Sequence, residues 1–298
     1  MFACNMTGKK EIPFIKMQGI GNDYIYIDAL QGETPEYLKE ELLPELSRKI
    51  SDRHFGVGSD GLILILPSEI ADFRMRIFNA DGSEAKMCGN GVRCVGKYVS
   101  DLGFTDKKEI SVETNSGIKY LKLKEGDDGV ESVTVNMGSP SFLRGDIPAT
   151  GNAQEEMNDQ IIKTNKGEFK VTGISMGNPH GVVYVNDVDT LDLEKIGPEL
   201  ENNEVFPDRA NIEFVKVLNP EEVKVRVWER GSGETLACGT GACATAVVSH
   251  RKGLTGDKVT VHLRGGDLKI AYDPENNNVE MEGPAEFVAK GSFSLRES

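Results

Sequence analysis

Apolar and polar residues alternate along Phe73-Arg-Met-Arg-Ile77, the pattern of a half-buried strand. Leu62 to Leu66 is an unbroken apolar run of strand length, and Phe14–Gln18 with Asp23–Asp28 predicts a strand pair around the turn Gly19-Ile-Gly-Asn22. Helical spacing takes over at Leu38, Leu42, Leu46 and Ile50, with Pro44 expected to split that segment. A second helical face runs through Val92, Val95, Val99 and Leu102, and Gly103 supplies the stop. Short alternating strands follow at 110–113, 118–122 and 132–137. The Gly-, Pro- and Asn-rich stretch 145–166 is expected to be a linker or surface excursion.

The same order then restarts. Strands are expected at 169–175 and 182–185 around Met176-Gly-Asn-Pro-His180, then a helix near 191–200 and strands at 211–217 and 223–228. A helix through His250 follows, and strands near 259–263, 268–272, 279–282 and 286–289 finish the chain. Sliding the sequence by 150 residues places Cys238 on Cys88, Gly239 on Gly89, Gly241 on Gly91 and Glu234 on Glu84. Gly177-Asn178 falls on Gly21-Asn22 at a shift of 156, and 211–215 matches 59–63 loosely at 152. Units this long are domains rather than solenoid repeats. The expected fold is α+β: two similar domains related by a pseudo-two-fold axis, each a curved mixed sheet wrapped round a central helix, with the active site in the cleft between them. Residues 12–131 form the first domain and 132–284 the second, after a flexible tail over 1–11.

Composition narrows the class. The chain has 298 residues and a formal charge of −14, from 34 basic against 48 acidic side chains, which argues against nucleic-acid or anionic-membrane binding. No apolar run reaches membrane-spanning length and the N-terminus lacks the apolar segment of a signal peptide, so a cytoplasmic protein is expected. Five cysteines suit reduced thiols better than a disulfide framework. Cys4, Cys94 and Cys243 are expected to be small buried hydrophobes. Gly56-x-Gly58-x-x-Gly61 matches a dinucleotide fingerprint only as a string, because a strand rather than a helix follows it. The cysteines lack His partners at zinc-finger spacing, so no metal is expected.

Cys88 and Cys238 survive these exclusions. Each precedes a helix, where unpaired N–H groups and the helix dipole favour a thiolate. The N–H groups of Gly89-Asn90 and Gly239-Thr240 can bind a carboxylate. Two thiols on opposite sides of a bound amino acid can take a proton from one face of the α-carbon and return one on the other. N–H donors at the carboxylate stabilise the anion without pyridoxal phosphate or metal. Asn22, Asn79, Asn178 and Asn211 sit at turns or strand ends and can serve a carboxylate or an ammonium. Arg230 suits a carboxylate, and His180 and Glu229 lie in the same landmarks.

At these residues the chain resembles the diaminopimelate epimerase family. The matching segments are Gly19-Ile-Gly-Asn-Asp-Tyr24, Asn79-Ala-Asp-Gly-Ser-Glu84, Cys88-Gly-Asn-Gly-Val-Arg93, Gly177-Asn-Pro-His180, Glu229-Arg-Gly-Ser-Gly-Glu234 and Cys238-Gly-Thr-Gly241. The resemblance implies Cys88 and Cys238 as the acid/base pair, with His180 and Glu229 beside the reacting centre. It places Asn22, Asn79, Asn178, Asn211, Glu229 and Arg230 on the substrate, and Gly89, Asn90, Gly239 and Thr240 at its α-carboxylate. The implied reaction is cofactor-free interconversion of LL- and meso-2,6-diaminoheptanedioate, toward lysine and peptidoglycan, in a homodimer. It also implies that the last strand, within 285–298, returns to the first domain. Gly61 stands where many members carry Gln, which bears on a distal substrate contact, and the tail before Pro13 has no counterpart. The alternatives are a proline racemase-like enzyme for a smaller amino acid, and a thiol redox or ligand-binding module.

Overall fold

The computed structural model describes residues 9–32 and 35–296. The chain divides into two compact units, residues 1–131 with 284–298, and residues 132–283. In the first, strands β1 (Lys9–Gly19) and β2 (Asn22–Asp28) form an antiparallel hairpin, joined through Ile20 (φ 49°) and Gly21 (φ 89°). Two successive left-handed residues make the tight turn whose twist suits a hairpin. A β-branched residue is strained there, and the strain fixes where Asn22 begins its strand. Residues 9–11, expected in a flexible tail, instead pair with the end of the last strand. Met1–Gly8, with Cys4, lies outside the described residues.

Two short 3-10 turns, Glu36–Leu38 and Glu40–Leu42, lead into helix α1 (Leu43–Ser51). Pro44 therefore opens a helix rather than splitting one, since the first turn needs no N–H from it. Strand β3 (Gly61–Leu66) lies parallel to β2 and antiparallel to β4 (Phe73–Asn79). Its apolar run is continuous because both faces are covered. Leu62 and Leu64 pack with Leu43, Leu46 and Ile50 of α1, while Ile63 and Ile65 are buried on the other face.

The two-residue strand β5 (Glu84–Ala85) precedes helix α2 (Gly89–Asp101), whose Val92, Val95 and Val99 are wholly buried. Leu102, expected on that face, is the residue after the helix and is 45 % exposed. Strands β6 (Glu109–Thr114) and β7 (Gly117–Gly126) then extend the sheet from β4, and α2 packs on β1, β2 and β7.

The second unit takes in most of β8 (Gly129–Gly138), then β9 (Gln160–Thr164), β10 (Gly167–Ser175) and β11 (Pro179–Tyr184). The stretch 145–166 is no linker. Its Ile147 and Met157 are fully buried in this unit's core, and β9 pairs with β10. Helix α3 (Leu193–Glu201), strands β12 (Asn211–Asn219), β13 (Glu222–Glu229) and β14 (Gly233–Thr235), and helix α4 (Gly239–Arg251) follow. Strands β15 (Lys258–Leu263), β16 (Gly266–Asp273) and β17 (Asn278–Gly283) complete the unit. Helix α4 packs on β10, β11, β12, β15, β16 and β17, so the sheet curves round it. The final strand β18 (Glu286–Arg296) pairs with β1 in the first unit.

Ladder registers fix the internal correspondence. Gly61 lies opposite Tyr24 across a parallel pair, and Asn211 lies opposite His180 in the same way. Gly61, not Ser59, is therefore the counterpart of Asn211, and the loose match at 152 becomes a shift of 150. Ile63 opposite Ile77 corresponds likewise to Glu213 opposite Val227.

Helix α3 touches the indole of Trp228 through Gly197, where an added Cβ would sit 2.2 Å from Trp228 Cδ2. Trp228 Nε1 is held by Glu201 Oε2 at 2.7 Å, so the ring cannot simply slide away. Gly197→Ala gains about 1 kcal/mol of helix propensity but overpacks the contact by about 1–3 kcal/mol or more. A lower denaturation midpoint is expected for Gly197→Ala; an unchanged or raised midpoint would show that Trp228 repacks freely.

Candidate active site

The site residues anticipated from sequence fall into two clusters, one in each unit. In the first, Cys88 ends an extended segment and caps α2. Its Sγ accepts from Gly91 N–H at 3.4 Å, and the first intrahelical bond runs from Val92 N–H to Cys88 O at 2.9 Å. A Cβ at Gly91 would lie 2.7 Å from Ile63 Cδ1, so the isoleucine would have to shift to admit a side chain. The N–H groups of Gly89 and Asn90 lie in the first turn, where no carbonyl of the helix reaches them. Cys88 Sγ donates to Asn22 Oδ1 at 3.3 Å, and Asn22 Nδ2 donates to Asp60 Oδ2 at 2.8 Å.

Behind that chain stands a charge cluster that sequence reasoning missed. Arg53 bonds both Asp23 and Asp60 at 2.9 Å, and Lys16 pairs with Asp23 at 2.7 Å. Burial, then the neighbouring Asp23 charge, pushes the Asp60 carboxyl above its ordinary pKa. Burial also works against the Asp23 charge, but the bonds from Lys16 and Arg53 prevail and lower its pKa. Tyr24, also missed, places its hydroxyl against Asn22 and Cys88, and burial foremost drives its pKa well up.

Asn79 ends β4, donating to Ser83 Oγ at 3.0 Å and lying opposite Gly61. At Gly61 a Cβ would stand 2.2 Å from Phe78 O and 2.9 Å from Tyr24 Cε1, so the backbone excludes a glutamine and the Tyr24 ring fills the space. Asn90 is buried and its Oδ1 accepts from Arg93 Nη1 at 2.9 Å. The Asn90 side chain thus serves the scaffold. Arg93 is itself fully buried and reaches Pro284 O at 3.2 Å.

The second cluster repeats the cap with different neighbours. Cys238 Sγ accepts from Gly241 N–H at 3.4 Å and lies 3.5 Å from Thr240 Oγ1. Burial first, then the charges of Glu229 and Glu213, pushes the Cys238 thiol well above its ordinary pKa. Asn178 donates from Nδ2 to Thr240 Oγ1 at 3.3 Å, and its Oδ1 lies 3.0 Å from His180 Nε2. His180 Nδ1 meets Glu213 Oε1 at 2.7 Å, with both side chains wholly buried. Glu229 accepts from Thr235 Oγ1, and burial raises its pKa, only partly offset by bonds from Thr235 and Cys238.

Asn211 is fully engaged as a brace: Nδ2 donates to Pro179 O at 3.0 Å and Oδ1 accepts from Arg230 N–H at 2.9 Å. Arg230 is exposed and leans on Asp208 O at 3.2 Å. Gly239 and Thr240 open α4 as Gly89 and Asn90 open α2. Cys94 and Cys243 are fully buried, and burial lifts the Cys94 thiol to about 11. Among the described residues no group of His, Cys, Asp and Glu is placed to hold a metal ion, and no helix is long and apolar enough to cross a membrane.

The polar neighbours therefore differ where the frame does not. Tyr24 corresponds to His180, Gly61 to Asn211, Ile63 to Glu213 and Asn79 to Glu229. The sequence carries one signal for Glu213, a lone acidic residue among the apolar Ile212, Phe214 and Val215; Asp60 carries none, because its contacts to Asn22 and Asp23 close across the fold.

The family model for diaminopimelate epimerase matches residues 14–143 and 172–288. A diaminopimelate epimerase of Acetivibrio thermocellus is 52 % identical over 284 residues, 95 % of this chain and 99 % of the relative. One from Agathobacter rectalis is 53 % identical over 288 residues, with the same coverage. Among solved structures, a hydroxyproline epimerase of Agrobacterium vitis with bound trans-4-hydroxy-L-proline gives a TM-score of 0.70 at 16 % identity, covering 97 % of this chain and 93 % of that one. A PhzF-family protein of Bacillus anthracis gives 0.68 at 18 % identity, covering 95 % and 99 %. These two likenesses establish a shared fold. The model match and the close relatives span nearly the whole sequence, and the chain belongs to the diaminopimelate epimerase family.

Proposed function

We propose that this chain interconverts LL- and meso-2,6-diaminoheptanedioate by passing the α-proton between Cys88 and Cys238, with no cofactor. The observation that carries the reading is the thiol cap written twice, with the same 3.4 Å bond from the Gly91 and Gly241 N–H groups, in a chain of this family.

The chemistry follows from the groups present. One cysteine, as thiolate, removes the α-proton, and the other, as thiol, delivers a proton to the opposite face of the same carbon. Reversal exchanges the roles. The α-carboxylate binds the first-turn N–H groups of Gly89-Asn90 and Gly239-Thr240, which stabilise the charge as the carbanion forms. Asn22, Asn79, Asn178 and Arg230 hold the remaining polar groups of the substrate. His180 and Glu229 act beside the reacting carbon, and Asn211 acts from behind as a brace. Buried among Glu229 and Glu213, Cys238 keeps its proton and starts as the acid. We further propose a cytoplasmic homodimer; light scattering that gives a monomer mass would contradict the dimer.

Replacing Cys88 or Cys238 by Ser is expected to lower epimerase kcat by about 10²-fold or more, with KM changed far less. Turnover at the wild-type rate in either variant would remove the two-thiol reading. A pH profile offers an independent check. In the direction where Cys238 donates, activity is lost as pH rises through its pKa, and that pKa is raised. The fall is therefore expected above the ordinary thiol value of about 8.5; a fall centred below it would contradict the assigned role.

A further inference from the structure

Beneath the first turn of α4 the scaffold holds a carboxyl where the other half of the molecule holds a hydrocarbon. A Cβ on Gly241 would lie 2.6 Å from Glu213 Oε1, just as one on Gly91 would lie 2.7 Å from Ile63 Cδ1. Register assigns Glu213 and Ile63 to equivalent ladder positions. An isoleucine therefore satisfies this place in the fold, and a wholly buried carboxyl is there at a cost in stability. Glu213 Oε2 has no hydrogen-bond partner, so the side chain is committed to His180 through Oε1 alone.

Proton counting then restricts the ring. His180 Nε2 faces Asn178 Oδ1, and an amide oxygen only accepts, so Nε2 must carry a proton. The Asn178 amide also bonds Thr240 Oγ1 through Nδ2, and that hydroxyl lies beside Cys238 Sγ. Between His180 Nδ1 and Glu213 Oε1 at 2.7 Å there is room for one shared proton, on either atom. With no group at 213, Nδ1 loses its partner, and the single bond from Nε2–H to Asn178 Oδ1 is left to hold the ring in its plane.

We propose that Glu213 is a positioning residue of the epimerase site: the proton it shares with His180 locks the imidazole with Nε2–H directed at Asn178, and through Asn178 and Thr240 it keeps the polar wall beside Cys238 in a single arrangement. The proposal rests on the epimerase reading for its kinetic consequence and on geometry alone for the state of the ring.

Two substitutions test it. Glu213→Ile installs the residue that the equivalent place in the first unit accepts. Glu213→Gln can donate an amide N–H to Nδ1, which leaves Nε2–H in place. Nitrogen NMR of the His180 ring is expected to show Nε2 protonated and Nδ1 hydrogen-bonded in the wild type and in Glu213→Gln, and an Nδ1 without a hydrogen bond in Glu213→Ile. With LL-diaminoheptanedioate, kcat should fall by roughly 10–100-fold in Glu213→Ile and stay within about threefold in Glu213→Gln, with KM little changed in both. A folded Glu213→Ile variant with the wild-type ring state and kcat would overturn the proposal. Should Glu213→Ile not fold, Glu213→Ala, which also removes the partner of Nδ1, is read in the same way: a wild-type ring state and kcat overturn the proposal, and loss of both sustains it. If the wild type does not turn the substrate over, the functional reading fails, while the ring measurement still judges the role of Glu213.

Discussion

Both halves of this molecule depend on a sulfur atom doing the work that an oxygen does at most helix N-termini. Cys88 and Cys238 each sit in extended backbone and each accept one of the N–H groups that a helix cannot satisfy from within. The bond orients the thiol beside the two preceding N–H groups of the turn, which no carbonyl of the helix reaches. A glycine at the third helical position suits the same geometry, because the side chain beneath the turn comes within 2.7 Å of where a Cβ would be and would have to give way. Capping and thiol placement are therefore one constraint met by Cys-Gly-x-Gly.

The duplicated frame carries unequal contents. Around Cys88 stand an amide, a phenol and an ion-paired cluster of Asp23, Asp60, Arg53 and Lys16. Around Cys238 stand two carboxyls and an imidazole. Identical surroundings would give two thiols of one acidity, whereas a proton passed across a carbon needs a donor and an acceptor at once. Burial beside Glu229 and Glu213 disfavours the Cys238 thiolate, which suits the donor role proposed for it.

How much of this was legible before the structure depended on range. The Cys-Gly-x-Gly loops, the helices behind them and the strands leading in all follow from local pattern and from the repeat. Pro44 and Leu102 each have a local meaning that packing overrides, since Pro44 starts a helix and Leu102 falls past its end; of the two readings of 145–166 the linker fails, because Ile147 and Met157 join a core, while 150–156 lie on the surface. Asp60 and Tyr24 were invisible as site residues, since their contacts to Asn22 and Cys88 close across the sheet. Glu213 left a trace, a charge inside a strand buried on both faces, but only register showed that Ile63 occupies the same place.

The central claim is that two thiols serve opposite faces of one carbon, and solvent isotope tests it most directly. With LL-diaminoheptanedioate in deuterated water, sampled at low conversion, the proton removed by one cysteine stays on that cysteine while the other delivers deuterium. The account predicts deuterium at the α-carbon of the meso product and almost none in recovered substrate. Deuterium appearing equally in both at that stage, or product that retains the original proton, would point to a single base and contradict it.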